Sequence, residues 1–582
     1  MKFQKCLLSL FLALCLFLFG CSEVEPLETP NSDNNTTVEG SSDAANAEAD
    51  FATDGTDMFT DRDQDATVPT SGTVQILLNG NSISASSNAV RVNGTTAIIS
   101  ETATYVISGG LDNGQLVVDA DENAKIQLVF NGVTIHSAAS APLYIKGGDK
   151  VFLTLSEGSV NALSNGGSFV AIDENNIDGA LFSKQDLTIN GSGSLTVNSP
   201  AGHGIVCKDD LVMTGGSVTV TAASHGIDAN DSVRIDAAML EVESGKDAIH
   251  AENTDDSTLG FVYIQSGKLT ATAAGDGIDA GAYLQIMDGE LNITAGGGSS
   301  ASVSSADDSK KGLKAANGIL IAGGRIQISA ADDAVHSNTS LFINGGTLEL
   351  NSGDDGCHAD ETLKITAGTV NISKSYEGLE GLDIVVAGGD ISLIASDDGI
   401  NAAGGTDGSG FGGPMGGDQF GGGGRPGGRP RSGMGGMSAS SGGSILISGG
   451  TVRIRASGDG IDANGTLEIT GGCVTVCGPT QGDTATLDYD VSGTITGGTF
   501  IGTGAAGMAQ TFSDSAQGVF AVQVGNQAAG TTILITDAAG NVILEYTPEL
   551  SFAVVIFSSP ALVKGESYTI TIGELSGSFA AS

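Results

Sequence analysis

Three doubled acids and one Tyr-Glu pair recur in this chain at steps of 22, 22 and 21 residues: Asp332-Asp333, Asp354-Asp355, Tyr376-Glu377 and Asp397-Asp398. Four residues after the first member of each pair stand His336, His358, Glu380 and Asn401, and Asp360 adds a further carboxylate. Oxygen clusters of this kind suit Ca²⁺, which takes six to eight oxygen ligands at about 2.3–2.6 Å. Histidines beside carboxylates would instead suit a transition metal. A single Asp-Gly pair needs no ligand, because it makes a turn through local hydrogen bonds and tolerance of the left-handed region. Doubled acids in consecutive repeats favour calcium. The candidate ligands are Asp332, Asp333, Asp354, Asp355, Asp360, Glu377, Glu380, Asp397, Asp398 and Asn401, with Tyr376, His336 and His358 as weaker candidates for ligand contact.

The elements that must position these residues follow from the repeat. An anchor of Gly or Ala falls at 204, 226, 248, 277, 312, 334, 356, 378, 399 and 460. Each anchor is followed by an alternating apolar stretch, a Gly-rich corner and a second stretch, as in Leu363-Lys364-Ile365, Ala367-Gly368 and Val370-Asn371-Ile372. No helical periodicity is sustained, so the chain reads as all-β. A unit of about 22 residues with three short strands predicts one coil of a right-handed parallel β-helix, since left-handed coils are built from hexapeptides. Stacked coils lie about 4.8 Å apart. Two carboxylates about 5 Å apart repel by about 3 kcal/mol at an effective dielectric near 20. Protonation, basic partners or bound cations must offset that repulsion. Lys310, Lys311 and Lys314 stand only at the leading edge of the acidic block, which is the sequence argument for a cation.

The ends read differently. Lys2 and Lys5 precede the apolar run Leu7 to Phe19, too short to span a bilayer and typical of an export signal. The run ends in Leu18-Phe19-Gly20-Cys21, which resembles the lipobox of bacterial lipoproteins, with Cys21 as the lipidated residue. The expected organisation is a signal peptide over 1–20, a disordered acidic tether over 21–70, the β-helix over 71–500 with a Gly-rich loop at 402–443, and a small antiparallel β domain over 501–582 that caps the stack. Asp61-Arg62-Asp63-Gln64-Asp65 mimics half of an EF-hand loop, but Ala66 and Gly72 stand where Gly and Glu are required, so calcium is rejected there. Cys473 and Cys477 are read as small buried hydrophobes.

Composition narrows the partners. With 24 Lys+Arg against 68 Asp+Glu, the net charge is −44, which excludes nucleic acid. Trp is absent, so no Trp platform can hold a sugar. A monomer at the cell surface, with cations among its partners, is the expectation.

The stretch from Ser329 to Ala403, with its Asp332-Asp333-Ala334-Val335-His336, Asp354-Asp355-Gly356-Cys357-His358 and Asp397-Asp398-Gly399-Ile400-Asn401 motifs, resembles the bacterial carbohydrate-binding β-helix family whose founding member binds cellulose and acidic sugars. The resemblance extends upstream through Ala180 to Gly193 and downstream through Leu487 to Asp490 and Gly498 to Phe500. It implies a fold like that of pectate lyases, bound Ca²⁺ and extracellular polysaccharide binding. Ala334-Val335 and Gly356-Cys357 depart from the Gly-Ile expected at those steps.

The function this supports is a lipid-anchored, calcium-dependent protein for plant-type or acidic polysaccharide, polygalacturonate or cellulose. A polysaccharide lyase on the same fold is the alternative, with Lys314, Arg325, Arg453 and Arg455 as candidate bases. A calcium-stabilised structural or adhesive protein is the third reading.

Overall fold

A computed structural model describes residues 51, 55–301, 303, 309–403, 442–480, 482 and 484–582. The signal segment, Cys21, the tether as far as residue 50 and nearly all of the Gly-rich insertion lie outside the described residues. The chain is nearly all β. Among the described residues, 47 strands form one large, mostly parallel sheet, and four more form an antiparallel one.

The parallel strands fall into three ladders, because each strand pairs with the equivalent strand of the repeat before and after it. The first ladder holds the short strands that follow the anchors, such as Ile278–Ala280, Leu313–Ala315, Val335–Ser337 and Cys357–Ile365. The second runs through Lys150–Leu155, Asp186–Gly191, Asp210–Met213 and Ser232–Ile235. It continues through Phe261–Ile264, Tyr283–Ile286, Gly318–Ile321 and Ser340–Ile343. The third includes Met239–Ser244, Lys268–Ala273, Glu290–Ala295 and Arg325–Ala330. Its strands alternate between exposed and buried positions, as a half-buried strand must. Inward Ile, Leu, Val and Ala of all three ladders merge into one continuous core.

Two kinds of glycine shape each repeat. Gly346 (φ +84°) and Gly368 (φ +96°) turn the corner between the second and third ladders in the left-handed region, where other residues are strained. The anchor glycines do something else. Gly399 does not have a positive φ, yet a Cβ there would lie 2.3 Å from Ile454 Cγ2 and 2.5 Å from the Gly460 carbonyl. The anchor is small because the backbone passes directly over the core, and not because Asp-Gly needs a left-handed turn.

The parallel ladders run past the expected end at residue 500. Thr499–Gly504 still pairs with Cys473–Cys477, and Asp514–Ser515 with Ser492–Ile495. Thr499–Gly504 then pairs antiparallel with Phe552–Ser558, which also takes Val519–Gln527. Ile533–Thr536, Val542–Tyr546, Ser567–Ile572 and Leu575–Ala580 form the antiparallel sheet, over a separate core that includes Phe520, Phe552 and Phe557. Cys477 is buried there, but Cys473 is exposed, because Val474 and Val476 take the inward positions of that strand.

The tether expectation fails for its last part. Residues 55–70 lie on the outer face of the second ladder. Thr60 caps a single helical turn, Asp61–Gln64, which is what the false EF-hand sequence forms. Asp63 is buried: Lys150 Nζ lies 2.9 Å and the Thr188 hydroxyl 2.5 Å from its carboxylate, while Asn190 and Thr214 donate to its carbonyl at 3.1 and 2.5 Å. Further along, Arg234 donates to the Met58 carbonyl and Phe59 packs edge-on against Tyr263. Phe51 packs against Tyr283, Leu320 and Phe342. Alternation is lost where this segment lies: Gly318–Ile321 and Ser340–Ile343 are buried throughout, whereas Thr466–Ile469, further along the same ladder, alternates again.

Two outcomes are expected. Gly399→Ala should cost about 1–3 kcal/mol in urea unfolding, as overpacking does, while Gly577→Ala, with nothing within 4 Å, should stay within about 0.5 kcal/mol. Burial alone would raise the Asp63 carboxyl, but hydrogen bonds from Thr188, Lys150 and Thr60 hold it below its ordinary value. A carboxylate held low contributes stability that is complete above its unfolded value, about 3.9, and is lost as the pH falls toward the folded value. Asp63→Asn should therefore melt lower than wild type at pH 7, with the gap closing below about pH 4. A gap independent of pH would contradict the assignment.

Candidate metal centre

Register places the polar residues of the first ladder in two columns. The column two residues after the anchor runs Asp228, His250, Asp279, Lys314, His336, His358, Glu380, Asn401, Asp462 and Asp488, one per repeat. The column just before the anchor runs Asp247, Asp276, Lys311, Asp333, Asp355, Glu377, Asp398 and Asp459. Within it, each following anchor amide bonds to the carbonyl of the next member, as Gly312 N does to Asp333 O and Gly378 N to Asp398 O.

The Asp residues of this second column have a structural task. One oxygen of each accepts the backbone N–H of the equivalent residue in the next repeat: Asp247 from Asp276 at 2.7 Å, Asp276 from Lys311 at 2.6 Å, Asp333 from Asp355 at 3.0 Å and Asp355 from Glu377 at 3.1 Å. Asp398 accepts from Asp459, and Asp459 from Ala485, in the same way. That bond explains the Asp residues of the column, and leaves the second oxygen of each for something else.

In the upper half the second oxygen finds a cation. Lys311 Nζ lies 2.7 Å from Asp333 and 3.1 Å from Asp332. Lys314 Nζ lies 3.1 Å from Asp279 and 3.5 Å from Asp276. His336 Nδ1 is 2.7 Å from Asp333, and its Nε2 meets Asn338 Oδ1. His358 Nδ1 lies 2.6 Å from Glu380 and 3.4 Å from Asp355, and Nε2 lies 3.0 Å from Asp360. Carboxylates at both nitrogens favour the charged form of His358. Burial opposes its charge, and Asp355, Asp360 and Glu380 outweigh burial to raise its pKa well above the ordinary value. Burial would likewise raise Asp333, but Lys311 and His336 hold it low. The two imidazoles stack at 4.7 Å. His336 and His358 are thus buried with both ring nitrogens engaged by neighbouring side chains, and are not surface contacts for a sugar.

The lower half differs. Among the described residues, no Lys, Arg or His lies at ion-pair distance from Glu377, Asp397 or Asp398. Burial, with Asp459 and Asp397 beside it, pushes Asp398 up to about 8. Burial, Glu380 and Asp398 push Glu377 up as well. Tyr376 hydrogen-bonds Asp397, and its phenol is raised by burial and by that carboxylate. Asn401 donates to Glu377 at 2.9 Å, while its Oδ1 is buried with no hydrogen-bond partner. One oxygen each from Asp398, Asp459 and Asp462 lies within 4.8 Å of the others.

The expected ligands therefore separate. Asp332, Asp333 and Asp354 come together, as do Asp355, His358 and Glu380, but the Lys311 ammonium already lies on the first group and His358, whose charged form its carboxylates favour, belongs to the second. Asp398 belongs to a group of carboxylates with Asp459 and Asp462, and Asn401 stands next to Asp462 in the column. Asp459 and Asp462 were absent from the expected ligands, although the Gly458-Asp459-Gly460-Ile461-Asp462 motif carries the same signal beyond the Gly-rich insertion. A further cluster, Asp247, His250 and Asp279, lies on the other side of Lys311 beside a stack of His203, His225 and His250.

A family model described as "Carbohydrate-binding domain-containing protein" matches residues 93–356. A protein of that description from Acetivibrio thermocellus is 37% identical over 126 residues, 21% of this chain and 44% of the relative, so the chain spans less than half of that relative's length. A solved structure titled "Structure of the polysaccharide lyase-like protein from C. thermocellum, Gadolinium derivative" is 26% identical and covers 50% of this chain and 96% of that one. Its TM-score of 0.36 is too low for a fold argument.

Removing Lys311 should expose the difference between the halves. Lys311→Met leaves Asp333 buried without its main counter-charge, and should cost about 3–5 kcal/mol in urea unfolding. Adding Asp333→Asn should restore at least half of that loss. No recovery in the double variant would show that Lys311 acts by packing and not by charge.

Proposed function

We propose that this chain is an extracellular, lipid-anchored carbohydrate-binding protein whose hold on plant-type or acidic polysaccharide, such as polygalacturonate or cellulose, depends on calcium. The observation that carries the reading is the match of residues 93–356 to a carbohydrate-binding family model. In this reading the three ladders are the faces of a right-handed parallel β-helix, with residues 501–582 as its cap and Cys21 as the lipidated residue. The support for the helix is the step of about 22 residues together with parallel pairing from one repeat to the next in all three ladders.

Calcium fits the lower half of the acidic columns. The donors are all oxygen, and the buried Asn401 Oδ1 has no hydrogen-bond partner. Asp398, Asp459, Asp462 and Asn401 would hold the ion, with Glu377 and Asp397 adjacent. Bound there, Ca²⁺ would offset the charge of Asp398, which burial and neighbouring acids push up to about 8, and offer remaining coordination positions to a sugar oxygen. It would also let a chain of net charge −44 approach a polyuronate. Of the candidate lyase bases, Lys314 is engaged by Asp279 and Asp276, and Arg453 by Asp390. That favours binding over bond cleavage.

The test is retention on polygalacturonate and on cellulose with Ca²⁺ or EDTA, with absorbance at 235 nm followed for unsaturated product. Calcium-dependent retention without absorbance is expected. Rising absorbance would make the protein a lyase, and retention in neither buffer would contradict the carbohydrate-binding reading.

A further inference from the structure

Stacked repeats are held by contacts between nearest neighbours, so a disturbance in one is felt in the next and little beyond. Residues 55–70 cut across that arrangement. Gln127 donates to the Thr67 carbonyl, and Arg62 lies over the Phe152 ring. Asp63 is held from Lys150, Thr188, Asn190 and Thr214. Phe59 and Gly55 lie on Tyr263. The rings of Tyr283 and Phe342 then receive Phe51. From Lys150–Leu155 to Ser340–Ile343 the ladder advances by seven strand spacings, about 34 Å.

The two ends of this segment are held by different chemistry. At one end a fully buried carboxylate is met by an ammonium and a hydroxyl, with its own carbonyl bonded to two further side chains. At the other, a single phenylalanine rests among three apolar side chains. The first is costly to break singly, because each partner left behind is a buried polar group. The second can separate with little penalty beyond the apolar area exposed.

We propose that this segment is a lengthwise strap that makes the repeats from Lys150–Leu155 to Ser340–Ile343 open as one unit, with Asp63 as its lock and Phe51 as its releasable end. Coupling of this kind is reciprocal: whatever loosens one end loosens the other by the same factor.

Hydrogen exchange on the full chain tests the strap, comparing wild type with Phe51→Ala and Asp63→Asn. Each single variant is expected to raise exchange about tenfold at both ends, in peptides covering Lys150–Leu155 and Asp186–Gly191 and in those covering Gly318–Ile321 and Ser340–Ile343. Peptides covering Ser444–Ile447 and Thr466–Ile469, on which no described strap residue lies, should keep their wild-type rates. Exchange that rises only beside the substituted residue, or in neither place, would overturn the proposal. If Asp63→Asn does not fold, Phe51→Ala read at Asp186–Gly191 decides the same question.

Discussion

In a stack of parallel repeats every side chain has a copy of its own position about 4.8 Å away. An apolar residue gains from that neighbour. A carboxylate does not, and the molecule is organised around how its columns of acid are made tolerable. The first answer is local and universal: one oxygen of each Asp before the anchor takes the amide of the next repeat. The second answer changes along the column. A rung of lysines divides it, two stacked histidines follow, and below them the donors are oxygen alone. One sequence motif thus serves as hydrogen-bonding device, ion-pair partner and candidate metal ligand, according to what stands one repeat away.

Much of this was legible in the sequence. The step of 22 residues gave the ladders, and the positions of Asp332 to Asn401 gave the columns, because register in a parallel stack follows directly from spacing. Directions were not legible. Lys311 reads as a surface residue at the edge of the block, and only the fold turns its ammonium onto Asp332 and Asp333. The repeat anchored at 460 was recognised, but Asp459 and Asp462 were left out of the expected ligands because Gly458 breaks the doubled acid there. His336 and His358 read as ligand contacts, but both are buried with their ring nitrogens taken by neighbouring side chains. The anchor glycine was read as a turn residue, whereas its small size clears the core beneath it.

The N-terminal segment was misread for a physical reason. Its composition is that of a solvated tether, and a polar segment gives no periodic signal when its contacts are made one by one to different repeats. The trace it leaves lies elsewhere, in the second ladder, where Leu320 and Phe342 stand at positions that should face water. An outward apolar residue on an otherwise alternating ladder asks what covers it, and here Phe51 supplies the answer.

The proposal is that calcium is held in the lower half of the acidic columns, while Lys311 and Lys314 offset the carboxylates of the upper half. Equilibrium dialysis of the full chain against ⁴⁵Ca²⁺ tests it most directly, with Asp398→Asn/Asp462→Asn set against Asp332→Asn/Asp360→Asn. The account predicts that the first pair abolishes at least one site while the second leaves calcium binding unchanged. Loss of calcium from the second pair with retention in the first would contradict it.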